Sequence, residues 1–162
     1  MASDIAFTSA ADLARMIRRK EISAVEAMRA TLARAEKAQS VFNCFITLCP
    51  ERALEDAAAA EKALAGGAEV GPLHGVPFHV KDLVNTAGVR TTFASFMYEH
   101  NVPKEDSVSV ARLKRAGAIL FGKTTTPEYG HMPYTEAPLF GRTRNAWAAD
   151  RTSGGSSGGA AV

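Results

Sequence analysis

Cysteine is scarce in this 162-residue sequence: Cys44 and Cys49 are the two, and no cluster of companion ligands stands beside them. A disulfide framework is excluded as the source of stability, and two buried, reduced thiols are the reading preferred over a metal or redox pair. If VFNCFITLCP forms a strand, the spacing sets the two thiols on opposite faces. Long apolar runs are missing as well, and nothing approaches the roughly 20 residues that a spanning helix needs. The opening MASDIAFTSAADLARM lacks the basic stretch, apolar block and small-residue cleavage site of a secretory signal. A cytoplasmic protein with no membrane partner is the expectation. Charge of one sign is not in excess either: 19 Lys and Arg against 17 Asp and Glu leave a formal +2. That is too little to hold a phosphate backbone by charge, so no nucleic-acid partner is expected.

What is present is ordinary for a packed protein. Hydrophobic residues make up 46% and charged residues 22%, which argues against disorder, collagen-like repeats and coiled coil. A chain of this length can bury a core without staples. Ser9 with Asp12, and Ser23 with Glu26, have the spacing of helix-opening capping boxes, in which each side chain satisfies a free N–H of the first turn. The first predicted helix carries Leu13, Met16 and Ile17 on one face; the second carries Val25, Met28, Leu32 and Ala35 at three-and-four spacing. Arg18, Arg19 and Lys20 fall where the first helix ends, where positive charge suits the helix dipole.

Farther along, residues 42–48 read as a strand, 51–65 as an Ala-rich helix stopped by Gly66 and Gly67, and 76–81 as a short apolar strand. Residues 106–116 read as a helix with Val110 and Leu113 inward, followed by a strand over 118–121. Short apolar strands separated by helices predict an α/β fold: N-terminal helices, then part of a mixed sheet covered by helices. No repeat or linker divides residues 1–162, which are expected to form the N-terminal portion of one domain. From about Thr124 onward Pro, Gly, Ser, Thr and Asn break every periodicity, and irregular segments of that length are usually functional or mobile. The tail begins a small-residue helix and stops mid-pattern, as if cut.

Gly117-Ala-Ile-Leu-Phe-Gly-Lys-Thr124 satisfies the phosphate-loop expression G-x-x-x-x-G-K-T. Such a loop needs a strand before the first glycine, phosphate-wrapping backbone between the glycines and a helix opening at the lysine. Here a predicted helix precedes Gly117, an apolar strand fills the interval, and Pro127 turns the residue before it away from helix, so nucleotide hydrolysis is set aside. Gly117 reads as a helix cap and Gly122 as a strand end.

Two segments carry chemistry. Ser153-Gly-Gly-Ser-Ser-Gly-Gly159 resembles a flexible linker in composition but lies between ordered-looking segments, and glycine backbone can approach a reacting carbonyl closely. Lys81 closes Gly75-Val-Pro-Phe-His-Val-Lys-Asp82, where Val76, Phe78 and Val80 crowd it; desolvation lowers a lysine's pKa, and a neutral lysine is a base that can activate serine. His74, His79, His100 and His131 form no acid-His-Ser grouping and read as packing or surface residues, with His79 and His131 the least easily dismissed.

Leu73-His-Gly-Val-Pro-Phe-His-Val-Lys-Asp82, Gly122-Lys-Thr-Thr-Thr-Pro-Glu-Tyr-Gly130, Gly141-Arg-Thr-Arg-Asn145 and Ser153-Gly-Gly-Ser-Ser-Gly-Gly159, in this order, resemble the amidase signature family. The resemblance spans nearly the whole chain. It implies the family's fold, truncated, and hydrolysis of a small-molecule carboxylic amide to acid and amine or ammonia through an acyl-enzyme. Lys81 matches the general base, and Ser156 matches the serine after a cis peptide bond that relays the proton. Gly154, Gly155 and Ser157 match scaffolding of that loop, with Ser157 a hydrogen-bond partner for Ser156, and Asp82 matches a brace. The nucleophilic serine is expected in a Gly-Gly-Ser segment past Val162, so these residues alone are expected to be inactive and to expose a sheet edge.

Thr125 stands where many members carry Asn, and Ser153 where many carry Pro. The resemblance implies no metal or organic cofactor and leaves a homo-oligomer open. Alkyl, aryl, amino-acid, malonamide-like and lactam amides all stay open as substrates. The A subunit of the glutamine-dependent tRNA amidotransferase is the alternative within the family, although Thr126–Tyr134 looks more like free-standing amidases. A non-catalytic remnant is the alternative outside it.

Overall fold

The structure, a computed structural model, describes residues 5–162; the first four residues of the stretch read for a signal lie outside the described residues. After a 3-10 turn at Ile5–Phe7 come α1 (Ala10–Arg18) and α2 (Ala24–Phe42). Both start as predicted. The Ser9 hydroxyl accepts from Asp12 N at 3.1 Å, and at Ser23 the box is reciprocal: Glu26 N donates to Ser23 Oγ (3.1 Å) while Ser23 N donates to Glu26 Oε2 (2.9 Å). Leu13 and Ile17 of α1, and Met28, Leu32 and Ala35 of α2, are buried, whereas Met16 and Val25 are half-buried.

The second helix runs on to Phe42, so the strand after it, β1 (Phe45–Leu48), starts three residues later than predicted. Asn43 makes the exit with φ of 54°, and the Gln39 carboxamide accepts from Phe45 N at 2.7 Å. An apolar run does not reveal which residues finish a helix and which begin a strand; the asparagine, tolerant of left-handed backbone, marks the break. Cys44 and Cys49 consequently flank β1 rather than sit on it. Neither is joined in a disulfide; Cys44 is buried and Cys49 half-buried. Burial raises the Cys44 thiol to about 11.

Next come α3 (Pro50–Ala65), β2 (Pro77–Lys81), α4 (Val108–Arg115) and β3 (Ile119–Thr124). The sheet order is β1-β3-β2. Strand β3 pairs antiparallel with β1, Phe45 opposite Thr124 and Leu48 opposite Gly122. Its bonds to the β2 segment, Ile119 N to Val76 O and Asp82 N to Thr124 O, advance in the same sense along both chains, so the sheet is mixed, as expected. Every residue of β3 is buried, which requires cover on both faces; β1 and β2 are half-buried throughout.

Gly122 is therefore inside β3, not its end. A methyl there would lie 2.9 Å from Thr47 O, so the glycine permits the close β1–β3 approach. The phosphate-loop reading fails on the same strand, because its interval is β-structure and no helix opens at Lys123.

Past β3 the chain is irregular, with two-residue strands β4 (Glu136–Ala137) and β5 (Gly141–Arg142) and a final turn of helix, α5 (Gly158–Ala161). The chain divides into two compact units, each made of several segments of the sequence. One comprises residues up to Arg34, Cys49–Phe78 and Ala111–Phe121; the other comprises Ala35–Leu48, His79–Val110 and Gly122–Val162. Among the described residues no helix is long and apolar enough to cross a membrane.

Candidate active site

Lys81 is the last residue of β2, and its Nζ donates to Ser156 Oγ at 2.6 Å across 75 positions of sequence. Burial holds the Lys81 ammonium below its ordinary value, which favours the neutral form. The strand delivers Lys81 into a tight turn in which Val84 N returns to Lys81 O at 3.0 Å.

Behind that turn lies a buried polar cluster. The Asp82 carboxylate is wholly buried and accepts at Oδ2 from Thr92 N (2.9 Å) and Thr92 Oγ1 (2.5 Å). Its Oδ1 lies 3.8 Å from the Lys123 ammonium, which is equally buried and donates to Val84 O (2.5 Å), Thr91 Oγ1 (2.7 Å) and Thr86 Oγ1 (3.2 Å). Burial pushes the Asp82 carboxyl above its ordinary value, against the pull of Thr92 and Lys123. Asp82 thus bonds to the loop beside Lys81. Lys123 shares that loop, a place its sequence neighbours do not reveal.

Ser156 sits on a loop whose Gly155–Ser156 peptide is cis, as the resemblance implies. Gly154 has φ of 73°, a left-handed conformation that glycine adopts freely. A Cβ on Gly155 would stand 2.9 Å from the Tyr134 backbone, so the loop lies flat against that segment. Thr135 Oγ1 donates to Gly154 O at 2.8 Å and accepts from Gly158 N at 2.9 Å, and Ser153 Oγ also reaches Gly154 O at 3.3 Å. Ser157 takes the N-cap position of α5 without a side-chain capping bond; it is Lys81 that reaches the Ser156 hydroxyl. Thr125 is buried against Thr143, their hydroxyls 2.7 Å apart, and its Oγ1 donates to Cys44 O at 3.3 Å.

Gly130, which the sequence placed in a motif but gave no role, closes the other side: a Cβ there would meet Leu83 Cδ1 at 2.5 Å and stand 3.8 Å from Ser156 Oγ. Of the two histidines set apart in the sequence, His131 is exposed with Nδ1 2.6 Å from Glu128 O. His79 packs edge-on against Phe45 at 6.0 Å between ring centroids, and burial lowers its pKa.

A lysine biased toward neutrality and bonded to a serine on a glycine-rich loop is a unit that can move a proton to or from a reacting group. The Amidase family model matches residues 26–162. The chain belongs to the amidase signature family. It is 44% identical over 146 residues to the A subunit of the glutamyl-tRNA(Gln) amidotransferase of Geotalea daltonii, covering 90% of this chain and 30% of that protein.

Solved structures of the family share the fold. A bacterial aryl acylamidase of the family aligns with a TM-score of 0.90 at 31% identity, over 95% of this chain and 32% of its own. The native peptide amidase of Stenotrophomonas maltophilia aligns with a TM-score of 0.86 at 30% identity, over 95% of this chain and 33% of its own. The chain spans about three tenths of the length of the curated relatives it matches.

Proposed function

We propose that this chain supplies the general base and the proton relay of a serine amidase that hydrolyses a small-molecule carboxylic amide. The 2.6 Å contact between Lys81 Nζ and Ser156 Oγ carries the reading. Neutral Lys81 takes the Ser156 proton as Ser156 takes that of a nucleophilic serine, whose oxygen bonds to the amide carbon. The tetrahedral intermediate collapses, the C–N bond breaks, and the leaving nitrogen receives the proton back through Ser156. Water then attacks the acyl ester with the same relay and releases the acid. The chain spans about three tenths of the relatives it matches, so the nucleophile is assigned to the remaining length of the family domain, and residues 1–162 alone are expected to give no turnover. Catalysis is assigned to the cytoplasm, in keeping with two cysteines that are not joined in a disulfide.

The test is hydrolysis of a panel containing acetamide, p-nitroacetanilide, an amino-acid amide and glutamine by the full polypeptide, with Lys81→Ala and Ser156→Ala beside it. Turnover of at least one amide, lost by a hundredfold or more in both variants, supports the reading. Turnover of none, or variants as active as the parent, overturns it.

The 44% and 45% identities to amidotransferase A subunits favour a second reading, in which the chain is part of one of them. Glutamine would then be the only panel member consumed, and partner subunits would copurify. Turnover of simple amides by the isolated polypeptide decides for the free-standing hydrolase.

A further inference from the structure

We infer that Thr135 is a positioning residue for the relay serine, its hydroxyl stapling together the two ends of the loop that presents Ser156 to Lys81. This rests on the amidase reading of Lys81 and Ser156 and adds a residue that no motif of the sequence singled out.

Thr135 lies just before β4 and is 1% exposed. Its one hydroxyl proton goes to Gly154 O at 2.8 Å, and its oxygen accepts the Gly158 N–H at 2.9 Å. A single side-chain atom thus bridges two backbone groups that flank Gly155, Ser156 and Ser157. Gly158 is buried, so its N–H has no water to turn to if the hydroxyl goes, and an unpaired buried donor is costly.

The fit around the staple is tight from both sides. A Cβ on Gly158 would stand 2.2 Å from Thr135 Oγ1, and one on Gly155 would stand 2.9 Å from the backbone of neighbouring Tyr134. Residues 134 and 135 therefore form a bed on which the loop rests, and the hydroxyl is its fastening. Ser156, in the middle of the fastened segment, is half-buried, and its own hydroxyl is engaged by Lys81. Without the staple, small displacements of the loop change the 2.6 Å separation that proton transfer requires, since a relay tolerates little misplacement.

Two replacements separate hydroxyl from shape. Thr135→Val keeps the volume and removes both bonds; Thr135→Ser keeps both bonds and removes a methyl. In the full polypeptide acting on whichever panel amide it hydrolyses, Thr135→Val is expected to lower kcat at least tenfold with KM within twofold, while Thr135→Ser stays within twofold of the parent. A Val variant with the parent's kcat, equal losses in both variants, or a change confined to KM overturns the inference. If Thr135→Val does not fold, Thr135→Cys replaces it, with a tenfold loss expected and parental rate overturning. Lys81→Ala and Ser156→Ala run alongside: if they abolish turnover while Thr135→Val keeps it, this inference alone falls; if they retain turnover, the amidase reading falls and takes this inference with it.

Discussion

Lys81 shows how a single residue is held against its own preference. In the unfolded chain it ionises near 10.5, and burial lowers that value in the fold, so between the two values the unfolded chain binds more protons. Stability therefore rises with pH across that interval and is least favourable once Lys81 is charged in both states. Lys81→Met, which cannot titrate, should remove this dependence: the melting temperature of the parent relative to the variant should climb from pH 7 to pH 10, and a constant difference would disprove it. The acid side of the activity profile should fall with the same ionisation. Asp82 and Lys123 present the opposite case, two charges that are tolerable only together. Lys123→Met leaves a wholly buried carboxylate without its cation and should cost about 3–5 kcal/mol, with Lys123→Met/Asp82→Asn recovering part of that in denaturant melts.

Among the elements, the helix ends show what sequence patterns capture and what they miss. The capping boxes at Ser9 and Ser23 and the stop at Gly67 are local, so residues three apart announce them. Lys81 and Ser156 were legible for a related reason: each lies in a short motif of distinctive order. The roles of Lys123, Gly130 and Thr135 were not, even though the first two lie in such a motif, because each acts on a partner brought close only by the fold, Lys123 on Val84 at 39 positions and Thr135 on Gly154 at 19.

The end of α1 was placed correctly but its geometry was hidden. Lys20 occupies a left-handed position, φ 60°, where Lys20 N bonds to Ile17 O and Glu21 N to Met16 O. That is the arrangement glycine makes at Gly67 after α3 and at Gly117 after α4. A side chain there costs about 1 kcal/mol or more. Lys20→Gly should accordingly raise stability by about 1 kcal/mol, read as a higher midpoint in denaturant, and a lower midpoint would show that Lys20 is held by something other than the helix cap.

In the whole molecule, stability and chemistry are divided between residues in a way that can be measured. Lys81, Asp82, Lys123, Thr135 and Ser156 all belong to the unit formed by Ala35–Leu48, His79–Val110 and Gly122–Val162. The other unit is built from helical packing, with Ile17, Met28 and Ala53 among its buried residues, and holds none of the proposed relay. Met28 is wholly buried on α2, so Met28→Ala removes apolar volume and should cost about 2–5 kcal/mol. That loss should show as a lower melting temperature of the full polypeptide. Thr135→Val also removes stability, but it does so at the loop carrying Ser156. Assayed in the full polypeptide well below either melting point, Met28→Ala should therefore retain the parental kcat while Thr135→Val does not. Equal losses of kcat in the two variants would mean that the relay senses packing throughout the chain, and the local account of its geometry would have to be abandoned.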